Sequence, residues 1–157
     1  MKLVELLSRP MVIMDLKAKD KKSAIREVVQ VLVSQGAVTE DEGKKVERQV
    51  AKREGQGSTG IGKGLAIPHA KGCPQIAGIR GVFGRSVAGL PFEAVDGGLV
   101  HLVFLVVSAP DCVDQHPLIM RKIASLHRDE KTLKFLSVTE SVDSVLDIFK
   151  EIDDNFR

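Results

Sequence analysis

The chain has 157 residues, of which 43% are hydrophobic, and its formal net charge is +2. This length and composition predict a single globular domain, residues 1–157, that can bury its own core. The small net charge and the absence of tryptophan and tyrosine argue against nucleic-acid binding, which relies on basic surfaces and stacking aromatic side chains.

Membrane insertion and export are also not expected from the sequence. No segment approaches the roughly 20 consecutive apolar residues that span a bilayer. The first ten residues, MKLVELLSRP, lack the apolar region of a signal peptide. Cys73 and Cys112 form no C-x-x-C pair. We therefore expect a cytoplasmic protein without stable membrane insertion, whose two thiols are reduced and structural in role.

Helical patterns dominate the first third of the chain. Asp20 is expected to cap a helix whose apolar residues recur at three-and-four spacing and which ends at Gly36. A capping box at Thr39–Glu42 predicts the start of a second helix that runs to about Arg53. The basic side chains of this second helix are interpreted as a solvated face.

Short apolar segments predict the strands of a sheet, at residues 11–16, 65–68, 79–87 and 100–107. The last segment is almost continuously apolar, as expected for a central strand buried on both faces. Further helices are expected at residues 2–7, from a cap at Asp114 through Leu126, near 133–136, and at 142–152, with a frayed tail from Asp153. Together these elements predict an α/β fold: a three-layer sandwich with a small mixed β-sheet flanked by helices.

The glycine-rich segment 53–72, REGQGSTGIGKGLAIPHAKG, is the most unusual stretch of the sequence. Two nucleotide-binding patterns overlap it: Gly55, Gly57 and Gly60 match G-x-G-x-x-G, and Lys63 falls where a phosphate-binding loop has lysine. Both patterns require a preceding strand and a following helix, whereas here a helix precedes and a strand follows. We therefore do not interpret the segment as a nucleotide site.

His69 is the first candidate for chemistry. Pro68 cannot donate to a sheet ladder, so the preceding strand should end there and deliver His69 at its end. A neutral imidazole has one nitrogen available as nucleophile or ligand while a neighbour orients the other. The alternative is a hydrogen-bonded turn histidine, which is the commoner role of a lone histidine in this position. By the same reasoning, His101 is interpreted as a half-buried, hydrogen-bonded strand residue.

Two further residues are candidates by position. Arg53 lies at a helix C-terminus beside the glycine-rich segment, where it serves either as a partner of the helix dipole or as a phosphate ligand. His116 lies near a helix N-terminus just beyond a strand, on the edge of an α/β sheet where ligands collect. From the residues alone, His116 is equally well explained as a surface histidine.

Several residues occur in an order that is not generic: Arg53-Glu54, Ser58 to Gly62, Gly64, and Ala66-Ile67-Pro68-His69. This order resembles the signature of the fructose/mannitol-type (type 2) enzyme IIA of the bacterial phosphoenolpyruvate-dependent phosphotransferase system, a family that includes the nitrogen-regulatory IIA proteins. The resemblance implies that His69 accepts a phosphoryl group through Nε2 from phospho-HPr and passes it to a IIB domain, while Nδ1–H faces a backbone acceptor.

The resemblance also implies roles around His69. Arg53 and His116 would steady the phosphoryl oxygens, and Ser58, Thr59 and Gly60 would supply neutral donors. His116 follows His69 by 47 positions, as the assisting histidine of the family does, but Pro117 stands where the family usually has leucine. The resemblance implies no cofactor.

Two alternatives to a phosphoryl carrier for sugar uptake remain open. The chain could be a regulatory protein of the nitrogen-regulatory kind, whose target responds to its phosphorylation. It could instead hold a metal ion through His69 and His116, but no third ligand stands at metal-binding spacing, so Asp111 or Asp114 would have to be recruited.

Overall fold

The computed structural model describes residues 1–156. The helices are α1 (Leu3–Leu6), α2 (Lys21–Ser34), α3 (Glu40–Glu54), α4 (His116–Ala124), α5 (Glu130–Val138) and α6 (Val142–Asn155). The strands are β1 (Val12–Ile13), β2 (Gly60–Gly62), β3 (Leu65–Ala66), β4 (His69–Ala70), β5 (Ile79–Leu90) and β6 (Val100–Ser108). Short 3-10 helices occur at Arg9–Met11, Pro110–Cys112 and Ser125–Arg128.

The sheet is mixed and is built around β6. Its order is β1-β5-β6-β3-β2, and β4 also pairs with β6, beyond the end of β3. The β5–β6 pair is antiparallel, whereas β3 and β4 both run parallel to β6. Strands β3 and β4 follow each other along the same edge of β6. Residues Ile67 and Pro68 lie between them, so the pairing with β6 stops after Ala66 and resumes at His69.

Side chains of β6 alternate between two cores, so the strand is buried on both faces as predicted. Val103, Leu105 and Val107 belong to an apolar cluster with residues of α2 and α3. Leu102, Phe104 and Val106 belong to a second cluster with residues of α1, α4, α5 and α6. The predicted three-layer arrangement of a mixed sheet between helices is therefore confirmed.

Local sequence signals account for the ends of the long N-terminal helices. The Asp20 carboxylate accepts a hydrogen bond from the Ser23 amide at the start of α2. The reciprocal capping box between Thr39 and Glu42 begins α3, as predicted. Gly43 of α3 lies so close to α2 that an added Cβ would come within 2.6 Å of Val33, which shows how tightly the two helices pack.

Three expectations from the sequence are wrong. The first strand spans only Val12–Ile13, because the chain bends at Met14 and Asp15 before the Leu16 amide bonds to the Arg85 carbonyl of β5. Asp114 does not cap α4: Gln115 precedes the helix, and no side chain accepts from its first turn. The segment beginning at Asp153 does not fray, since α6 continues to Asn155.

Candidate functional site

His69 begins β4 and lies opposite Val106 of the central strand. Its Nδ1 atom is 2.8 Å from the Ile67 carbonyl oxygen. Because a carbonyl oxygen can only accept a hydrogen bond, Nδ1 must carry the proton in the neutral ring. Nε2 is then the unprotonated nitrogen, with a lone pair available to an electrophile.

The surroundings of His69 favour this neutral form. Burial lowers the pKa of His69 below its ordinary value, and the positive charge of Arg53 lowers it further. The hydrogen bond to Ile67 and the charge of Glu54 act in the opposite direction but do not outweigh burial. At neutral pH the His69 side chain is therefore ready to act as a nucleophile without first losing a proton.

His116 occupies the first position of α4 and is the nearest aromatic neighbour of His69. The two ring centroids are 5.6 Å apart, with an angle of 53° between the ring planes. Only 2% of His116 is exposed. Burial, with smaller contributions from His69 and Lys71, lowers the pKa of His116 to about 4. The site thus contains two adjacent imidazoles that are both neutral at physiological pH.

The two ring nitrogens of His116 differ in their surroundings. Nδ1 is 2.8 Å from the hydroxyl oxygen of Ser108, the last residue of β6. Nε2 is buried and has no hydrogen-bond partner within the described residues 1–156. A buried polar atom without a partner is costly and points to a ligand or a functional role.

His69 and Arg53 line one groove of about 630 Å³ at the surface. Its other lining residues are Gln49, Lys52, Gln56, Ala70 and Lys71. The groove therefore collects three cationic side chains, and no carboxylate is among the side chains that line it. Such a concentration of positive charge favours the binding of an anionic ligand. One terminal nitrogen of the Arg53 guanidinium donates to the Gly57 carbonyl. This hydrogen bond holds the guanidinium beside the glycine-rich segment.

The remaining predicted site residues, Ser58, Thr59 and Gly60, do not line this groove. The Ser58 hydroxyl donates to the Phe92 carbonyl and accepts from the Gly60 amide. The Thr59 amide and hydroxyl both donate to the buried carboxylate of Glu54. These donors are engaged within the protein, where they hold the glycine-rich segment against its neighbours.

The glycines of this segment form a hairpin rather than a nucleotide loop. β2 and β3 pair in antiparallel fashion, and the turn between them contains Lys63 and Gly64, both with positive φ. Gly60 is required for close approach, because an added Cβ would lie 2.9 Å from the Cβ of Ala94. The glycine-rich composition therefore reflects the turn and the packing of the segment that leads to His69.

Sequence reasoning missed two residues at the site. Ser108 is the only hydrogen-bond partner of the His116 imidazole within the part of the chain that the structure describes. Lys71 lines the groove two positions after His69. Alternation along an extended segment places every second residue on the same face, so the spacing of Lys71 offered a signal, whereas the pairing of Ser108 with His116 required the fold.

The alternative of a metal site at His69 and His116 gains no additional ligands from the described residues. Across residues 1–156 there is no group of three or more histidine, cysteine or acidic side chains arranged to hold a metal ion. In the same range, no helix is both long and apolar enough to cross a bilayer.

The fold and the site define a class of protein: a three-layer α/β domain with two neutral, adjacent histidines beside a cationic groove. Within that class, residues 5–152 match the family described as "Phosphoenolpyruvate-dependent sugar phosphotransferase system, EIIA 2". The chain belongs to this family, and the resemblance recognised in its sequence is confirmed.

Two curated relatives illustrate the proteins that this chain is similar to. The chain is 35% identical over 157 residues to the PTS system fructose-specific EIIABC component of Bacillus subtilis. That match covers 98% of this chain but only 24% of the relative, so the chain spans about a quarter of that protein. It is 29% identical to a nitrogen regulatory protein of Bradyrhizobium diazoefficiens, with 94% of each chain covered.

Solved structures of related proteins have the same fold. The nitrogen regulatory protein IIA-Ntr of Neisseria meningitidis superimposes with a TM-score of 0.85 at 25% identity, covering 94% of this chain and 98% of that one. The mannitol IIA of Escherichia coli superimposes with a TM-score of 0.77 at 23% identity, covering 91% and 98%. At that identity the mannitol protein is evidence for the fold alone.

Proposed function

We propose that the protein is a phosphoryl carrier that accepts a phosphoryl group on Nε2 of His69. The observation that carries the proposal is the hydrogen bond from Nδ1–H of His69 to the Ile67 carbonyl, which leaves Nε2 unprotonated beside a cationic groove. Membership of the EIIA 2 family supports phospho-HPr or a related phosphocarrier as the donor. We further propose that the reaction takes place in the cytoplasm.

The transfer step needs no additional reactant. The Nε2 lone pair of His69 attacks the phosphorus of a phosphohistidine on the donor, and a new N–P bond forms. The N–P bond of the donor breaks in line, and its electron pair returns to the donor imidazole. Phosphoryl transfer depends mainly on positioning and charge stabilisation, which Arg53 beside His69 would provide.

Arg53 and His116 are proposed to hold the phosphoryl oxygens. A guanidinium fork binds two oxygens at once, and Arg53 shares the groove with His69. His116 presents a buried, unpartnered Nε2 in the ring next to His69. Direct binding by Ser58, Thr59 or Gly60 stays a prediction, and it would require these groups to exchange hydrogen bonds that they make now.

The next step distinguishes two uses of the bound phosphoryl group. Passing it to a IIB domain would serve sugar uptake, as the name of the Bacillus relative suggests. Retaining it as a signal would serve regulation, as the name of the Bradyrhizobium relative suggests. Both uses require the same chemistry at His69.

The test is intact mass after incubation with phosphoenolpyruvate, enzyme I and HPr. We expect the wild-type chain to gain one acid-labile phosphate and His69→Ala to gain none. His127→Ala is the matched control, because His127 lies in a 3-10 helix and does not line the His69 groove. It should be phosphorylated like the wild type.

Phosphate on folded His69→Ala would contradict the assignment, and so would absence of phosphate on the wild type when a known EIIA accepts it. Adding a fructose-type IIB domain to the phosphorylated chain then separates the two uses. Rapid loss of the phosphate to IIB favours the sugar-uptake carrier. Retention of the phosphate favours the regulatory protein.

A further inference from the structure

We infer that Ser108 is a positioning residue whose hydroxyl donates to Nδ1 of His116, so that His116 carries its proton on Nε2 and offers it to the phosphoryl group on His69. This inference rests on the proposed function for its phosphoryl ligand. The tautomer of His116 can be measured without any phosphorylation.

Ser108 is placed for this role by the central strand. It is the last residue of β6, two positions beyond Val106, which lies opposite His69. Its side chain is fully buried. Within residues 1–156, the Nδ1 atom of His116, 2.8 Å away, is the one hydrogen-bond partner of the Ser108 hydroxyl.

Counting donors and acceptors decides the direction of this bond. If Nδ1–H of His116 donated to Ser108, the serine O–H would remain a buried donor without an acceptor, in addition to the unpartnered Nε2. If Ser108 donates to Nδ1, its O–H is satisfied and only Nε2–H lacks a partner. An unsatisfied buried donor loses its hydrogen bond to water without replacement, so the second arrangement, with fewer such donors and acceptors, is favoured.

The two histidines then have complementary tautomers. The Ile67 carbonyl holds the proton of His69 on Nδ1 and leaves a lone pair on Nε2 for attack. Ser108 holds the proton of His116 on Nε2, where it can donate to the phosphoryl oxygens that arrive at the neighbouring ring. The opposite tautomer of His116 would direct a lone pair at those oxygens and repel them.

Neutrality of His116 is compatible with this role. In the unphosphorylated protein its low pKa, caused chiefly by burial, means that the ring is neutral at physiological pH. A neutral imidazole still donates one hydrogen bond, and which nitrogen donates is set by the partner of the other. Control of the tautomer by Ser108 therefore decides which nitrogen of His116 donates.

Nitrogen NMR of the imidazole rings in the unphosphorylated protein tests the inference directly. His69 and His101 are internal references, because the Nδ1 atom of each faces a backbone carbonyl, that of Ile67 or Ser86. We expect both to show the Nδ1–H tautomer and His116 to show Nε2–H. A wild-type His116 with its proton on Nδ1 would overturn the inference.

Variants connect the tautomer to transfer. We expect Ser108→Ala to lose the tautomer preference of His116 and to lower kcat for phosphate acceptance by about threefold to tenfold, the range expected for one lost hydrogen bond, with KM for phospho-HPr unchanged. Ser108→Thr keeps the hydroxyl and should restore both readouts. Ser86→Ala, which removes another buried serine hydroxyl from the neighbouring strand, should change neither.

The outcomes separate this inference from the proposed function. If the wild type accepts no phosphate, the proposed function fails, and the NMR tautomers of wild type and Ser108→Ala alone decide whether Ser108 orients His116. If the wild type accepts phosphate but Ser108→Ala matches it in tautomer and kcat, the proposed function stands and the inference about Ser108 is wrong.

Discussion

At the scale of single residues, burial keeps two histidines neutral, and hydrogen bonds engage one nitrogen of each ring. Burial lowers the pKa of both His69 and His116. A backbone carbonyl and a serine hydroxyl then engage their Nδ1 atoms. In the proposed transfer, His69 would need no separate general base, since its Nε2 is already unprotonated.

This burial predicts a specific loss of stability in acid. The pKa of His116 falls from 6.5 when unfolded to about 4 when folded, so the unfolded chain binds a proton in this window while the folded chain does not. Above pH 6.5 the ring is neutral in both states, and the stability that depends on neutral His116 is fully present. As the pH falls from 6.5 towards 4, protons bind to the unfolded chain first, and this stability is lost. We expect the free energy of unfolding to fall by roughly 2–3 kcal/mol from this residue.

Denaturant unfolding at a series of pH values measures the effect, with His116→Gln as the comparison because glutamine does not titrate. The curve of the variant should be shallower between pH 6.5 and 4 but not flat, because the pKa of His69 is also lowered by burial. Parallel curves for the two proteins would show that His116 ionises in the folded state as it does in the unfolded chain.

The sequence indicated where the chain breaks before His69, but it did not indicate which residues contact the candidate site. The run ending in Pro68 predicted that a strand stops before His69, and β3 does stop at Ala66, but His69 begins the next strand, β4, rather than following the end of a strand. The pairing of His116 with Ser108 depends on how the loop after β6 directs α4 back to the sheet. No local pattern encodes that geometry, so no single-sequence signal marked Ser108.

At the scale of elements, both ends of the described chain are joined by one carboxylate. Asp153 of α6 accepts hydrogen bonds from the amides of Leu3 and Val4 at the start of α1, at 2.7 and 3.0 Å. It also forms an ion pair with Lys122 of α4 at 2.9 Å. Asp153 therefore links three helices of the same layer and satisfies amides that a helix start leaves free.

We expect Asp153→Asn to lower the free energy of unfolding by about 3 kcal/mol, because it leaves the buried ammonium of Lys122 without its counter-charge. Asp154→Asn is the matched control on the adjacent position. The side chain of Asp154 is 63% exposed, against 5% for Asp153, and its pair with Lys150 is solvated. Chemical denaturation compares the two, and equal losses would show that this linkage does not stabilise the fold.

The same linkage explains one wrong expectation from the sequence. The polar residues that begin at Asp153 have the composition of a frayed tail, yet a buried ion pair and two amide donors order them. Long-range contacts of this kind are invisible in local composition. Capping at Asp20 and Thr39 was predictable because donor and acceptor lie three residues apart in the chain.

At the scale of the whole molecule, charge is distributed unevenly around a nearly neutral chain. The net charge is only +2, yet the groove at His69 gathers Lys52, Arg53 and Lys71. Glu54, next in sequence to Arg53, is instead buried and paired with Lys21 on the inner side of α3. Overall composition therefore conceals a local field that would attract a phosphorylated partner.

If this field guides a phosphorylated donor to His69, neutralising it should weaken the encounter and leave the chemical step unchanged. We expect Lys52→Gln and Lys71→Gln each to raise KM for phospho-HPr by about twofold to fivefold with kcat unaffected, and to reduce the dependence of kcat/KM on salt. Lys45→Gln is the matched control, because Lys45 is an exposed lysine of α3 that does not line the groove. An equal rise in KM for Lys45→Gln would mean that the donor responds to the total charge of the protein. An effect confined to Lys52 and Lys71 would identify the groove as the docking surface for the donor.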